Sequence, residues 1–215
     1  MAVPQLVLWD LDGTLVDSAP TIMDALQRAF TRLNVNPTEP LTEKLIGPPL
    51  DQLLQRLFPS STDVIRAEIL AEFKQHYDHE SYKATRVFPT VSDTLLRLNQ
   101  LGVRQWVCTN KRLLPTQRIV DHLGWREVFE HLYALPDFRV DGQPVASKSD
   151  MVQSLMMQHR LNPGAIILVG DTTTDQLAAH NNQLGFAYAR WGYGQVTGAS
   201  PDLVLNVCEE FLTYF

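Results

Sequence analysis

The sequence predicts an α/β fold: a doubly wound parallel sheet with a smaller α-helical unit inserted after its first strand. Three observations predict it. After a first apolar run of strand length, Leu6–Trp9, further runs, Val103–Cys108 and Ala165–Val169 among them, alternate with amphipathic segments from residue 87 onward. The stretch 17–86 reads as helix with no convincing strand. Hydroxyl, amide, amine and carboxylate side chains follow these apolar runs, at the strand ends where open parallel sheets bind ligands. The expected organisation is an α/β core of residues 1–16 and 87–215, with a helical cap at 17–86.

The chain has 215 residues, 45% of them hydrophobic, enough for one good core and a satellite unit. A formal net charge of −6 lacks the basic stripe that nucleic acid requires. No window approaches the roughly 18 apolar residues of a membrane span, and the N-terminal apolar run meets Asp10 too soon for a secretory signal. Two cysteines, Cys108 and Cys208, lack metal-ligand spacing and suit a reducing cytoplasm.

Taken in order, Leu6–Trp9 reads as a strand buried on both faces. Ile22, Leu26, Ala29, Phe30 and Leu33 recur at helical spacing, with Ser18 as the N-cap. Leu41–Ile46 reads as a short helix that Gly47-Pro48-Pro49 breaks, and Asp51–Phe58 as another. The cluster Ser60–Asp63 caps a helix over Val64–Tyr77. Thr90 caps the next, which Gly102 closes. After the strand Val103–Cys108 come a helix at Pro115–Leu123, a strand at His131–Leu135 and a hairpin turn at Asp141-Gly142. A helix from Ser149 to Arg160 leads to the strand Ala165–Val169 and a helix from Thr173 to Leu184. Strands at Phe186–Arg190 and Asp202–Leu205 and a short helical end at Glu209–Tyr214 complete the chain.

The chemistry lies between these elements. Asp10 and Asp12, two residues apart in an extended chain, face one small volume, and the turn at Gly13-Thr14 offers backbone amides to an anion. Thr109 and Asn110 follow the second long strand, Lys148 opens a helix, and Asp171 and Asp175 follow the third. Each has an ordinary alternative: a strand-ending hydroxyl, a solvated lysine, an acid in a helix's first turn. Their joint placement on one sheet edge points to phosphoryl transfer. A phosphate dianion among carboxylates needs a hard cation such as Mg²⁺, with Asp10 and Asp171 as side-chain ligands and the Asp12 carbonyl as a further oxygen. Lys148 adds positive charge, and Thr109 and Asn110 add neutral donors. One carboxylate attacks phosphorus while the other moves the proton; the residues alone leave open which does which.

Asp10-Leu-Asp-Gly-Thr-Leu-Val-Asp, Cys108-Thr-Asn-Lys, Lys148 and Gly170-Asp-Thr-Thr-Thr-Asp175 resemble the four motifs of the haloacid dehalogenase (HAD) superfamily. The resemblance covers essentially the whole chain. It implies a Rossmann-like core, Asp10 as nucleophile, Asp12 as general acid/base, and Thr109 with Lys148 as phosphate binders. It also implies Mg²⁺ held by Asp10, the Asp12 carbonyl and Asp171, with Asp175 in support. Leu15–Pro20, Ile46–Leu50, Val87-Phe-Pro and Trp191-Gly-Tyr-Gly194 resemble the phosphoglycolate phosphatase-like subgroup, whose cap is α-helical. Trp9 and Asn181-Asn182 depart from its usual residues, at the scale of packing. Cap residues expected to contribute are Lys44, Gly47, Pro48 and Lys83.

The expected activity is Mg²⁺-dependent hydrolysis of a small phosphomonoester by a monomer or homodimer, without nucleic acid or membrane. The alternatives are a β-phosphoglucomutase-like enzyme, a phosphonatase-like enzyme using Lys44 or Lys83, a receiver-type phospho-aspartate switch, and a degenerate binding scaffold. Asp12 sets the reaction class, because the dehalogenases that name the superfamily lack an acid at that position.

Overall fold

The computed structural model describes residues 3–215; residues 1–2 of the expected core lie outside the described residues. The chain runs β1 (Leu6–Trp9), β2 (Val16–Asp17), α1 (Ala19–Leu33), α2 (Leu50–Leu57), α3 (Asp63–Tyr77), β3 (Arg86–Val87) and α4 (Val91–Gln100). It continues through β4 (Arg104–Thr109), α5 (Leu113–His122), β5 (His131–Ala134), β6 (Arg139–Val140), β7 (Gln143–Pro144) and α6 (Lys148–Gln158). The last elements are β8 (Ile166–Gly170), α7 (Thr173–Asn181), β9 (Gly185–Ala189), β10 (Leu203–Leu205) and a 3-10 segment at Cys208–Tyr214.

Six strands form one parallel sheet in the order β10-β9-β8-β1-β4-β5. From β1 the chain winds to β4 and β5 on one side, then to β8, β9 and β10 on the other, so β1 stands at the switch point. Trp9 pairs with Val107 on β4 and with Val169 on β8. Carried one step further, that register sets Asp10 level with Gly170, with Thr109 and Asp171 one residue beyond. The site residues converge because three strands stop at one height.

Strand alternation divides the core. Val7, Trp9, Val107, Ile167 and Val169 pack with Leu95 and Leu98 of α4, Ile119 of α5 and Phe211. Leu6, Leu8, Trp106, Cys108 and Leu168 pack with Met151 and Leu155 of α6 and with Ala178 and Ala179 of α7. Trp9 needs a partner for its indole N–H, and Gln105 provides one at 3.2 Å while donating to the Leu95 carbonyl at 2.9 Å. This accounts for a fully buried glutamine. Truncating either Trp9 or Trp106 to alanine costs about 3–5 kcal/mol.

The helices α1, α2 and α3 surround their own apolar cluster, built on Leu26, Phe30, Leu54, Leu57, Ile69 and Phe73. Thr62 caps α3 as expected, accepting from the Ile65 amide. Three local expectations are corrected. Leu41–Ile46 is not a short α-helix but a single 3-10 turn at Glu43–Leu45, too near Gly47-Pro48 to extend. Ser18 precedes α1 but does not cap it, because its hydroxyl donates to Asp12. Thr90 takes a left-handed conformation (φ 63°), and its hydroxyl accepts from the Glu209 amide rather than capping α4. One element had no sequence signal: β2 and β3 pair antiparallel, Val16 with Val87 and Asp17 with Arg86, where the chain leaves for the helices and returns. At two residues each, they are too short to show a period.

Candidate active site

Asp10 leaves β1 as its amide bonds the Val169 carbonyl at 2.9 Å, which points the next residues out of the sheet edge. Lys148, the first residue of α6, is buried and bridges two carboxylates: its Nζ lies 2.7 Å from Asp10 Oδ1 and 2.6 Å from Asp175 Oδ1. Asp175 occupies the third position of α7 in a capping box with Thr172, its Oδ2 accepting from that residue's amide and hydroxyl. Both Asp175 oxygens are therefore engaged within the protein.

Asp171 follows β8. Its Oδ2 accepts from the amides of Tyr193 and Gly194 at 2.9 and 3.0 Å, and the Thr14 hydroxyl donates to Oδ1 at 3.3 Å. Packing around this carboxylate admits no side chain. A Cβ on Gly13 (φ +85°) would fall 2.4 Å from Asp171 Oδ2, and one on Gly192 2.3 Å from the Asp171 Cβ. Gly13 thus serves by close approach, and its expected offer of an amide to an anion is corrected. That amide bonds the Val16 carbonyl at 2.9 Å and the Thr14 amide the Leu11 carbonyl at 3.3 Å, closing the turn on itself.

One ligand atom each from Asp10, Asp171 and Asp175 lies within 4.8 Å of the others, and all three residues are buried. Burial raises the Asp10 pKa to about 8, with the Asp175 and Asp171 charges adding to it against the opposing pull of Lys148. Burial and Asp175 raise Asp171 to about 7, against the two backbone amides. Lys148 is held protonated: burial opposes its charge, and the Asp10 and Asp175 carboxylates outweigh burial. One lysine does not balance three carboxylates, and the deficit suits a hard cation with oxygen ligands.

Asp12 has a different environment. The Ser18 hydroxyl donates to it at 2.5 Å, and Lys111 Nζ lies 3.0 and 3.1 Å from its two oxygens. The Lys111 side chain is only 6% exposed; burial disfavours its charge, but Asp12 raises its pKa. The Lys111 ammonium also sits 4.5 Å over the ring of Tyr77, the last residue of α3. Ser18 and Lys111 are site residues that sequence reasoning did not assign. The available signal was position, since both stand in motif segments at strand ends.

Asp10, Asp12, Thr109 and Asn110 line a cavity of about 70 Å³ between the sheet edge and the helices. Lys148, Asp171 and Asp175 are not in its wall and reach it through Asp10. Thr109 is buried, its hydroxyl accepting from the Lys111 amide at 3.2 Å. Asn110 donates its side-chain amide to the Gly47 carbonyl at 2.7 Å, while its Oδ1 has no partner among the described residues. Gly47 and Pro48 border the cavity as expected, whereas Lys44 and Lys83 are exposed and do not. A second clasp joins sheet edge and helices: Arg112 donates to both carboxylate oxygens of Asp78 at 2.8 and 2.6 Å, and Arg118 bonds the Asp78 carbonyl.

The sequence matches the haloacid dehalogenase-like hydrolase family over residues 7–189. It is 28% identical to the phosphoglycolate phosphatase of Vibrio vulnificus over 220 residues, 97% of this chain and 94% of that one. It is also 28% identical to the tyrosine-protein kinase PtkA of Mycobacterium tuberculosis over 193 residues, 89% of this chain but only 64% of PtkA's length. Among solved structures, a haloacid dehalogenase-like family protein from Streptococcus pneumoniae superposes with a TM-score of 0.84 at 25% identity, covering 100% of both chains. Among the described residues, no helix is long and apolar enough to cross a membrane. With its parallel sheet, its four motif segments on one edge and a family match over most of its length, the chain belongs to the haloacid dehalogenase-like hydrolases.

Proposed function

We propose that this protein is a Mg²⁺-dependent phosphatase that hydrolyses a small phosphomonoester through a phospho-Asp10 intermediate. The observation that carries the reading is the separation of two buried carboxylates two residues apart. Asp10 is tied to Lys148 and grouped with Asp171, while Asp12 is tied to Ser18 and Lys111. In the first half-reaction an Asp10 oxygen attacks phosphorus, the bond from phosphorus to the ester oxygen breaks, and the Asp12 carboxyl protonates the departing alcohol. In the second, Asp12 takes a proton from water as the water oxygen attacks phosphorus, releasing phosphate and restoring Asp10. Lys148 keeps the attacking carboxylate oriented, and Thr109 stands at the phosphoryl position as a neutral donor.

The oxygen donors left by the protein's own bonds fit a hard cation. Asp10 and Asp171 would hold it, with the Asp12 carbonyl, while Asp175 orients Lys148. A divalent cation there offsets the charge of the phosphoryl oxygens against the carboxylates. Residues 17–86 serve as the cap, hinged on the β2–β3 pair, and exclude water during transfer. The Vibrio vulnificus relative supports the phosphatase reading over the mutase and receiver alternatives. The test is phosphate release from a panel of esters with Mg²⁺, for the native protein and Asp10→Asn. Loss of release with an unchanged circular dichroism spectrum is expected; a variant that still turns over would overturn the aspartyl phosphate.

A further inference from the structure

The cavity wall divides sharply by chemistry. Every residue that the helices and their connections contribute is apolar or uncharged: Ile22, Ile46, Gly47, Pro48, Leu50, Leu53, Phe73 and Tyr77. Cations enter from the sheet edge alone, as Lys111 and Arg112, and neither is free. Lys111 is paired with Asp12, and Arg112 is held by both oxygens of Asp78. The two lysines that could have supplied a charge from the helical side, Lys44 and Lys83, are exposed to solvent away from the cavity. A carboxylate brought into this space would lose its hydration and find no unpaired cation to replace it. An apolar group would instead gain from the surface it removes from water.

Two polar atoms complete the picture. The Tyr77 hydroxyl and Asn110 Oδ1 belong to residues of this wall, are buried, and have no hydrogen-bond partner among the described residues. Unpaired buried groups of this kind are costly, and a ligand that satisfies them recovers that cost. Both are neutral. Asn110 Oδ1 is an acceptor and needs a donor such as a hydroxyl, which a carboxylate is not, and the Tyr77 hydroxyl brings no full charge to offset that of a second anion.

We infer that the leaving group is a small, neutral, mainly apolar alcohol, so that the preferred substrates are alkyl or aryl phosphate monoesters rather than phosphate esters of hydroxy acids such as 2-phosphoglycolate. The inference rests on the phosphatase reading for the reaction, but the selectivity it assigns is a property of the cavity and is measurable without turnover. It separates this chain from the substrate named for its Vibrio vulnificus relative.

The test has a binding arm and a turnover arm. In the binding arm, the Mg²⁺-loaded protein is titrated with propylphosphonate and with 3-phosphonopropionate, two non-hydrolysable ligands of similar length that differ in a terminal carboxylate. Propylphosphonate is expected to bind at least tenfold more tightly. Leu50→Arg places a cation on a half-buried residue at the first position of α2, whose core contacts are Leu53, Leu54 and Leu57, and is expected to narrow the ratio at least fivefold. Asp78→Asn, which frees the Arg112 charge, is expected to shift it in the same direction. Equal or reversed native affinities overturn the inference. In the turnover arm, propyl and phenyl phosphate are compared with 2-phosphoglycolate by kcat/KM, and a tenfold preference for 2-phosphoglycolate likewise overturns it. If the phosphonates discriminate as expected but no ester releases phosphate, the cavity's selectivity stands and the phosphatase reading fails.

Discussion

Lys148 and Asp10, far apart in sequence, form a fully buried ion pair of 2.7 Å at the switch point of the sheet. Neither residue has that status alone: the lysine begins a helix and the aspartate ends a strand, and only the parallel register of β1 with β8 and β4 brings them together. The lysine is the sole counter-charge bonded to Asp10 and Asp175 among the described residues.

Lys148→Met is therefore expected to leave three neighbouring carboxylates uncompensated. Removing one partner of a buried pair costs about 3–5 kcal/mol, readable as a lower denaturation midpoint. Phosphate release should fall about 10²–10³-fold, the usual effect of removing one preorganised charge or donor. Added Mg²⁺ should recover part of the stability and little of the activity.

Asp10 and Asp171 link stability to pH. Their carboxyls titrate at about 8 and about 7 in the folded protein, above the ordinary 3.8 that the unfolded chain retains. Between those values the folded state holds protons that the unfolded state has released, so the stability of the metal-free protein falls as pH rises through this window. Under the proposed Mg²⁺ binding the cation would replace those protons, so its stabilisation should be larger at pH 8 than at pH 6. Thermal melts at both pH values with EDTA and with Mg²⁺ check the sign. Asp10→Asn should flatten the metal-free slope.

Gly13→Ala tests the close approach beneath Asp171. The new Cβ meets the carboxylate at 2.4 Å on a backbone with φ +85°, so both clearance and conformation oppose it. A loss of about 1–3 kcal/mol is expected, together with weakened Mg²⁺ binding measured by calorimetry. An alanine tolerated without either change would mean that Asp171 is free to move.

Tyr193→Phe tests the proposed hinge. The Tyr193 hydroxyl donates to Asp17 at 2.6 Å and accepts from the Ala19 amide at 3.0 Å, fastening the Trp191–Gly194 loop to the start of α1. Its removal should cost about 1–2 kcal/mol and speed amide hydrogen exchange at residues 16–19 and 86–87. Exchange that stays unchanged there would place the hinge elsewhere.

Much of this protein was determined by the sequence alone, wherever a signal is local and periodic. Leu6–Trp9 and the strand read at Ala165–Val169, which forms at Ile166–Gly170, follow from runs of apolar residues, the long helices from apolar residues at helical spacing, and each motif carboxylate from its position past a strand. The expected α/β class and the helical insertion followed from the same patterns. Tertiary structure decided what those residues do with one another. Ser18 and Thr90 have cap-forming side chains, but longer-range partners, Asp12 and the Glu209 amide, take them. Lys111 becomes the partner of Asp12 only when the end of β4 folds beside that of β1. The Gly13 amide turns inward because the loop must close beneath Asp171. The β2–β3 ribbon joins residues separated by the whole helical insertion, and no two-residue strand carries a period of its own. Hydrophobic spacing is written along the chain, whereas ion pairs, close approaches and cavity walls depend on distances between segments that only packing fixes.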